Sequence, residues 1–270
     1  MKTNVLLPFL LLILLAIQAC QTVPGTGRRQ LNAFSTGQAI QMGEEAYPEL
    51  LKGAKIVTSG PEYEMVQRVG QRISRSANRL YPDPSRQFDW EFKLVDDPKM
   101  VNAWALPGGK CAVYTGLLPV TQDEDSLAAV MGHEAAHAIA SHGTERMTTS
   151  IGLQGGLAVV SGILTGQVDD PGKRDLILGA LGAGATVGVA LPFSRANESE
   201  ADELGLYIAA NAGYDPEAAI GLWERMGKAS GGQGPPEWLS THPSETTRIQ
   251  RLQEAMPKAK RYQRRAQRRN

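Results

Sequence analysis

From Pro61 to Leu80 apolar residues recur at helical spacing (Met65, Val69, Ile73, Ala77), which predicts a helix there. Tyr81-Pro82-Asp83-Pro84 ends it, because proline cannot continue a helical ladder. Phe88 to Val95 alternates apolar and polar, the period of a strand. Val101–Leu106 and Cys111–Thr115 read as two more strands joined by Pro107-Gly108-Gly109. Thr121-Gln122-Asp123-Glu124 has capping-box spacing, with Thr121 as N-cap and Glu124 at N3. It predicts a helix from about Gln122 to about Met147. Further helices are expected over Gly43–Leu51, over Ser194–Asn211 with Gly213 as its stop, over Asp215–Lys228 and over Ser244–Met256. The sum is a mainly helical α+β chain with a small sheet placed just before its longest helix.

Three stretches break that pattern. Val5 to Ile17 is almost wholly apolar behind Met1-Lys2, short enough for the core of a signal peptide rather than a membrane span. Ile17-Gln18-Ala19-Cys20 then resembles a bacterial lipoprotein cleavage site, so residues 1–19 are expected to be removed and Cys20 to carry lipid. This predicts an outer-membrane lipoprotein facing the periplasm. Residues 20–60 read as a lipid-anchored tether, polar over Thr22–Gly37, plus one short helix. Met147–Val168 and Leu176–Ser194 carry no charge. Their richness in glycine and small residues favours helices packed over the domain or laid against a membrane, with two spans as the alternative.

Composition narrows the class. The chain has 270 residues, with 28 Lys+Arg balanced by 28 Asp+Glu, which argues against a generic nucleic-acid binder. Two cysteines exclude a disulfide scaffold and a four-cysteine zinc site. With Cys20 acylated, Cys111 would be the one free thiol.

The chemistry sits at His133-Glu134-Ala135-Ala136-His137. Residues i and i+4 lie about 40° apart around a helix, so both imidazoles can reach one ion. Glu134, beside them, is in reach of a water held by that ion and can take its proton. A catalytic zinc needs a third protein ligand. His142, nine residues past His133, would point about 180° away on a continuous helix and reads as a surface or supporting histidine. Ser194 to Asp202 offers the ligand instead: Glu198 and Asp202 share a face, Glu198 for the metal and Asp202 to orient a ligand histidine. Glu200 should face away.

HExxH followed some sixty residues later by ExxAD, within Ser194-Arg195-Ala196-Asn197-Glu198-Ser199-Glu200-Ala201-Asp202, resembles the gluzincin-type zinc metallopeptidases. The family includes HtpX, the CAAX prenyl protease, Oma-type proteases and the periplasmic LoiP and BepA proteins. The resemblance leans to the LoiP-like lipoproteins. Asn102 to Gly109, Val113 to Leu118, and Thr241-His242-Pro243 with Arg248 carry it further, from about Pro61 to Met256. It implies a zincin-like domain over 61–257 and one Zn²⁺ per chain, held by His133, His137 and Glu198 with Glu134 as general base. Asp202 and Arg248 would support the site. His242 would assist the transition state or close onto the metal, unless it is merely a helix-entry residue. The strand Asn102-Ala103-Trp104-Ala105 would pair with an extended substrate. The implied function is zinc-dependent endopeptidase action on misfolded or unfolded envelope proteins. The rivals are a zinc-bound chaperone or binding module in outer-membrane assembly, a membrane-spanning HtpX-like protease, and a maturation protease for one client. Lys258–Asn270, with seven Lys/Arg and no acid, reads as a solvated disordered tail or as a contact for anionic lipid.

Overall fold

The structure, a computed structural model, describes residues 20–153, 193–229, 242 and 246–269. Strands β1 (Cys20–Thr22) and β2 (Arg29–Leu31) form a hairpin, followed by helix α1 (Thr36–Leu50). After β3 (Ile56–Val57) comes α2 (Pro61–Leu80), then β4 (Glu91–Val95), β5 (Ala103–Ala105) and β6 (Lys110–Tyr114). The longer helices that follow among the described residues are α3 (Glu124–Ile139), α4 (His142–Leu153), α5 (Arg195–Asn211), α6 (Ala218–Ala229) and α7 (Thr246–Gln267). The architecture is α+β, as expected.

The sheet runs β3-β4-β6-β5, with β4 and β6 parallel and the outer pairs antiparallel. Its period of two feeds two cores. Phe92, Leu94, Ala103, Ala105, Cys111 and Val113 face the main core with α2 and α3. Trp104, Leu106, Ala112 and Tyr114 face the other way, onto Phe34, Ala46 and Leu50. Both faces are covered, so the sheet is a rigid wall beside α3.

Four expectations are corrected. The N-terminal stretch is not a free tether: Val23 and Phe34 are fully buried, and Asn32 donates to the Thr144 hydroxyl. Helix α3 starts later than the Thr121 box implies, with the Asp123 carboxylate accepting from the Ser126 amide. It also stops earlier: Ser141 adopts φ 57°, so α3 and α4 are separate helices. The basic tail is not disordered, since α7 runs on to Gln267 and buries Ala259 and Ala266. The uncharged stretches lie almost wholly outside the described residues. Among the described residues no helix is long and apolar enough to cross a membrane.

Candidate metal centre

Two glycines bring the site together. A Cβ on Gly205 of α5 would sit 2.6 Å from the His133 amide nitrogen, and one on Gly132 of α3 would sit 2.7 Å from the Gly205 carbonyl. The two backbones touch there, which only side-chain-free residues permit. The contact sets the metal-facing turns of α3 and α5 against each other. Ser194 starts α5 with a full capping box, its side chain accepting from the Asn197 amide, so Glu198 is placed on the first turn.

Donor atoms of His133, His137, Glu198 and His242 all lie within 4.8 Å of one another, and all four residues are buried. The Nε2 atoms of His133 and His137 are 3.0 Å apart. Glu198 Oε1 lies 3.4 Å from His137 Nε2 and 3.1 Å from His242 Nδ1. Two imidazole lone pairs facing at such a distance repel unless a cation or a proton lies between them. Imidazole and carboxylate donors in this number suit a divalent ion such as zinc, so the residues fit a metal. Glu134 stands beside them, its Oε1 3.5 Å from His242 Nε2. Its place beside the donors is what a general base needs.

Each of the two histidines on α3 has its own support. His133 Nδ1 lies 3.0 Å from Asp202 Oδ1. Arg248 clamps Asp202 through Nε and Nη2 at 2.7 and 2.6 Å, and reaches Glu198 Oε2 from Nη1 at 2.8 Å. The guanidinium also lies over the Trp223 ring, 3.5 Å from its centroid. His137 stacks on Phe193 at 4.0 Å between centroids, with Arg146 over that ring. Its Nδ1 is 2.9 Å from His142 Nδ1, and His142 Nε2 is 3.0 Å from Glu200 Oε2.

Burial drives the His137 pKa well below its ordinary value, so the ring is held in the neutral form a ligand requires. On His133 burial also opposes the charge, but the hydrogen bond to Asp202 and the nearby Glu198 raise its pKa on balance. Burial likewise opposes charge on Glu198, yet His242 and His137 hold its pKa well below the usual carboxylate range. Burial and charge pull Glu200 the same two ways, and its bonds to His142, Thr26 and Arg28 bring it down to about 2.

The structure thus brings together His133, His137, Glu198, Glu134, His242, Asp202 and Arg248. Asn102–Ala105 lies in and beside β5, the sheet edge that packs on α3. Cys20 stands apart, exposed, with its sulfur 3.1 Å from Arg29 Nη2. Of the two readings of His142, surface or support, the structure shows the second, and Glu200, expected to face away, is buried against it; sequence reasoning missed Arg28 and Phe193. The kink at Ser141 is what turns His142 inward, and the residue that makes it carries no strong local signal. Gly132 and Gly205, glycines inside apolar helical patterns, are readable signs of close approach.

The model of peptidase family M48 matches residues 62–256. The mitochondrial metalloendopeptidase OMA1 of Schizosaccharomyces pombe is 37% identical over 243 residues, covering 88% of this chain and 66% of that protein. The OMA1 metalloendopeptidase of Danio rerio is 35% identical, covering 87% of this chain and 50% of its own length. The beta-barrel assembly-enhancing protease of Escherichia coli is 27% identical, covering 86% and 46%. The chain therefore spans about half to two thirds of the length of these relatives. Most of the curated relatives are mitochondrial, which overturns the expected placement as an outer-membrane lipoprotein facing the periplasm. The physical reason is that a targeting signal is a short segment read by a receptor, and the catalytic domain does not encode the address. The match along the domain and the convergence of its donors agree: the chain belongs to peptidase family M48.

Proposed function

We propose that the chain is a zinc-dependent endopeptidase that cleaves unfolded or misfolded proteins in protein quality control. The observation that carries this is the meeting of His133, His137 and Glu198 at one point, with Glu134 beside it. Zinc, when bound, supplies Lewis acidity and lowers the pKa of water. The Glu134 carboxylate takes the proton of the attacking water and later delivers it to the leaving amine. Asp202 and Arg248 keep His133 in one tautomer, and the apolar wall of α3 and the sheet keeps bulk water from the site. An extended substrate pairs its backbone with β5, which explains a preference for unfolded chains over any one sequence. The metalloendopeptidase and protease names of the relatives support this reading.

The test is casein degradation by the zinc-loaded chain beside Glu134→Gln. We expect the variant to keep its zinc and lose about 10²–10⁴-fold in rate. Cleavage by Glu134→Gln at the parent rate would sink the assignment. Wild-type chain that binds zinc but cleaves nothing would favour the chaperone reading.

His242 supports a second statement. Its Nδ1 sits in the donor group while a catalytic site needs one open position. We therefore assign it as a fourth donor that closes the centre and withdraws for catalysis. His242→Ala should raise the initial rate on a short unfolded peptide; a rate below wild type would favour oxyanion assistance instead. Membrane contact is proposed through a lipidated Cys20, which intact-mass measurement of the N-terminal peptide checks. The exposed Arg261, Arg264, Arg265 and Arg268 of α7 are proposed to meet anionic lipid, which vesicle sedimentation checks.

A further inference from the structure

The geometry points to His142 as a positioning residue that, with Glu200 and Arg28, fixes the tautomer and orientation of His137 for metal binding. This rests on the metal centre described above. The chain of contacts is continuous. Arg28 Nε meets Glu200 Oε2 at 2.7 Å, Glu200 Oε2 meets His142 Nε2 at 3.0 Å, and His142 Nδ1 meets His137 Nδ1 at 2.9 Å.

Hydrogen bonding leaves one consistent proton pattern. An ionised carboxylate only accepts, so His142 Nε2 carries a proton and donates to Glu200. In neutral His142 the Nδ1 then holds a lone pair and accepts. His137 Nδ1 must donate to it, so His137 Nε2 is left bare, and that atom points into the donor group. The opposite pattern would put a proton on His137 Nε2, where the metal belongs. His133 gains the same result in one step from Asp202; His137 gains it through a second imidazole.

The far end of this chain is anchored by the N-terminal hairpin. Arg28 binds Glu145 of α4 through both terminal nitrogens at 2.7 and 2.8 Å while its Nε holds Glu200. Thr26 donates to the other Glu200 oxygen, and Asn197 donates to Glu145 at 2.7 Å. The loop between β1 and β2 thus locks α4 onto α5, and the lock holds His142 against His137. His142 is fully buried, so it cannot rotate to find another acceptor.

The experiment is zinc affinity by chelator competition on the full chain, in wild type, His142→Leu, His142→Asn and Arg28→Gln. The optical spectrum of the cobalt-substituted protein is recorded alongside. His142→Leu removes the acceptor and should weaken zinc binding about 10–100-fold. His142→Asn offers an amide oxygen near the place of Nδ1 and should recover most of that loss, together with the wild-type cobalt spectrum. Arg28→Gln, at the rim, should cost a few-fold. Equal affinity in His142→Leu and wild type would overturn the proposal, and so would an Asn variant no better than Leu. A purely structural role would lower the melting temperature of both His142 variants alike without this split in affinity. If His142→Leu does not fold, Arg28→Gln decides, and unchanged affinity there overturns the proposal. A wild-type chain that holds no zinc overturns the metal centre itself, a different result from either.

Discussion

His133 and His137 leave the same helix one turn apart, yet they are held from opposite ends of the chain. His133 leans on Asp202, which Arg248 of α7 clamps from the C-terminal side. His137 leans on His142 and Glu200, which Arg28 of the β1–β2 loop clamps from the N-terminal side. The Arg248 side chain is 1% exposed, the Arg28 side chain 28%. The first support is a buried charge cluster and should behave as part of the core. The second opens to solvent at its outer end, where water screens the charges and weakens each pair. A site can thus be rigid on one side and adjustable on the other while both imidazoles come from one helix.

The most severe break should come on the C-terminal side. Arg248→Met leaves Glu198 and Asp202 buried without their cation, and breaking such a cluster costs about 3–5 kcal/mol. Urea unfolding of the metal-free protein should show it; a loss under about 1 kcal/mol would mean that water reaches the cluster. Pressing where the two supports share a base comes next. Gly205→Ala drives a methyl into the His133 backbone and should cost about 1–3 kcal/mol while weakening zinc binding. A fully active, equally stable variant would show that α3 and α5 can part without harm. Removing the N-terminal clamp should be milder: Arg28→Gln should cost about 1 kcal/mol in the same urea experiment.

Acid separates the supports more gently. Burial opposes the charge on Asp202, but Arg248 and His133 outweigh it and hold its pKa below the usual carboxylate range. A group depressed in the folded state stabilises above its unfolded pKa and loses that contribution as pH falls through the folded one. The Asp202 contribution should therefore hold down to about pH 4 and be lost below, while the buried, neutral His137 already lowers the melting temperature of the chelated wild type once pH falls below about 6.5. In Arg248→Met the carboxylate step should begin at higher pH, and a profile identical to wild type would contradict the role given to the guanidinium.

Much of this centre is legible in the order of residues. Glu198 and Asp202 are recognisable because four residues on a helix make one face. Alternation and Pro107-Gly108-Gly109 place the strands β4, β5 and β6 to within a few residues. Nothing comparable marks the N-terminal hairpin, because three-residue strands among Gly, Thr and Arg carry no periodic signal. The tail reads as solvated because its charge dominates its composition. Ala259, Ala266 and Tyr262, which dock α7 onto the core, are too few to register.

Spacing along a helix was enough to determine two imidazoles and a carboxylate on α3 and an acid pair on α5. Those are local properties, decided by 3.6 residues per turn. The groups that stand behind the two imidazoles were decided by tertiary packing instead. A single residue at φ 57° ends α3 and swings His142 from the far side to His137. Arg28 finds Glu200 across 172 residues of chain. Such meetings depend on how helices and a hairpin pack, and no pattern in either segment alone specifies the other.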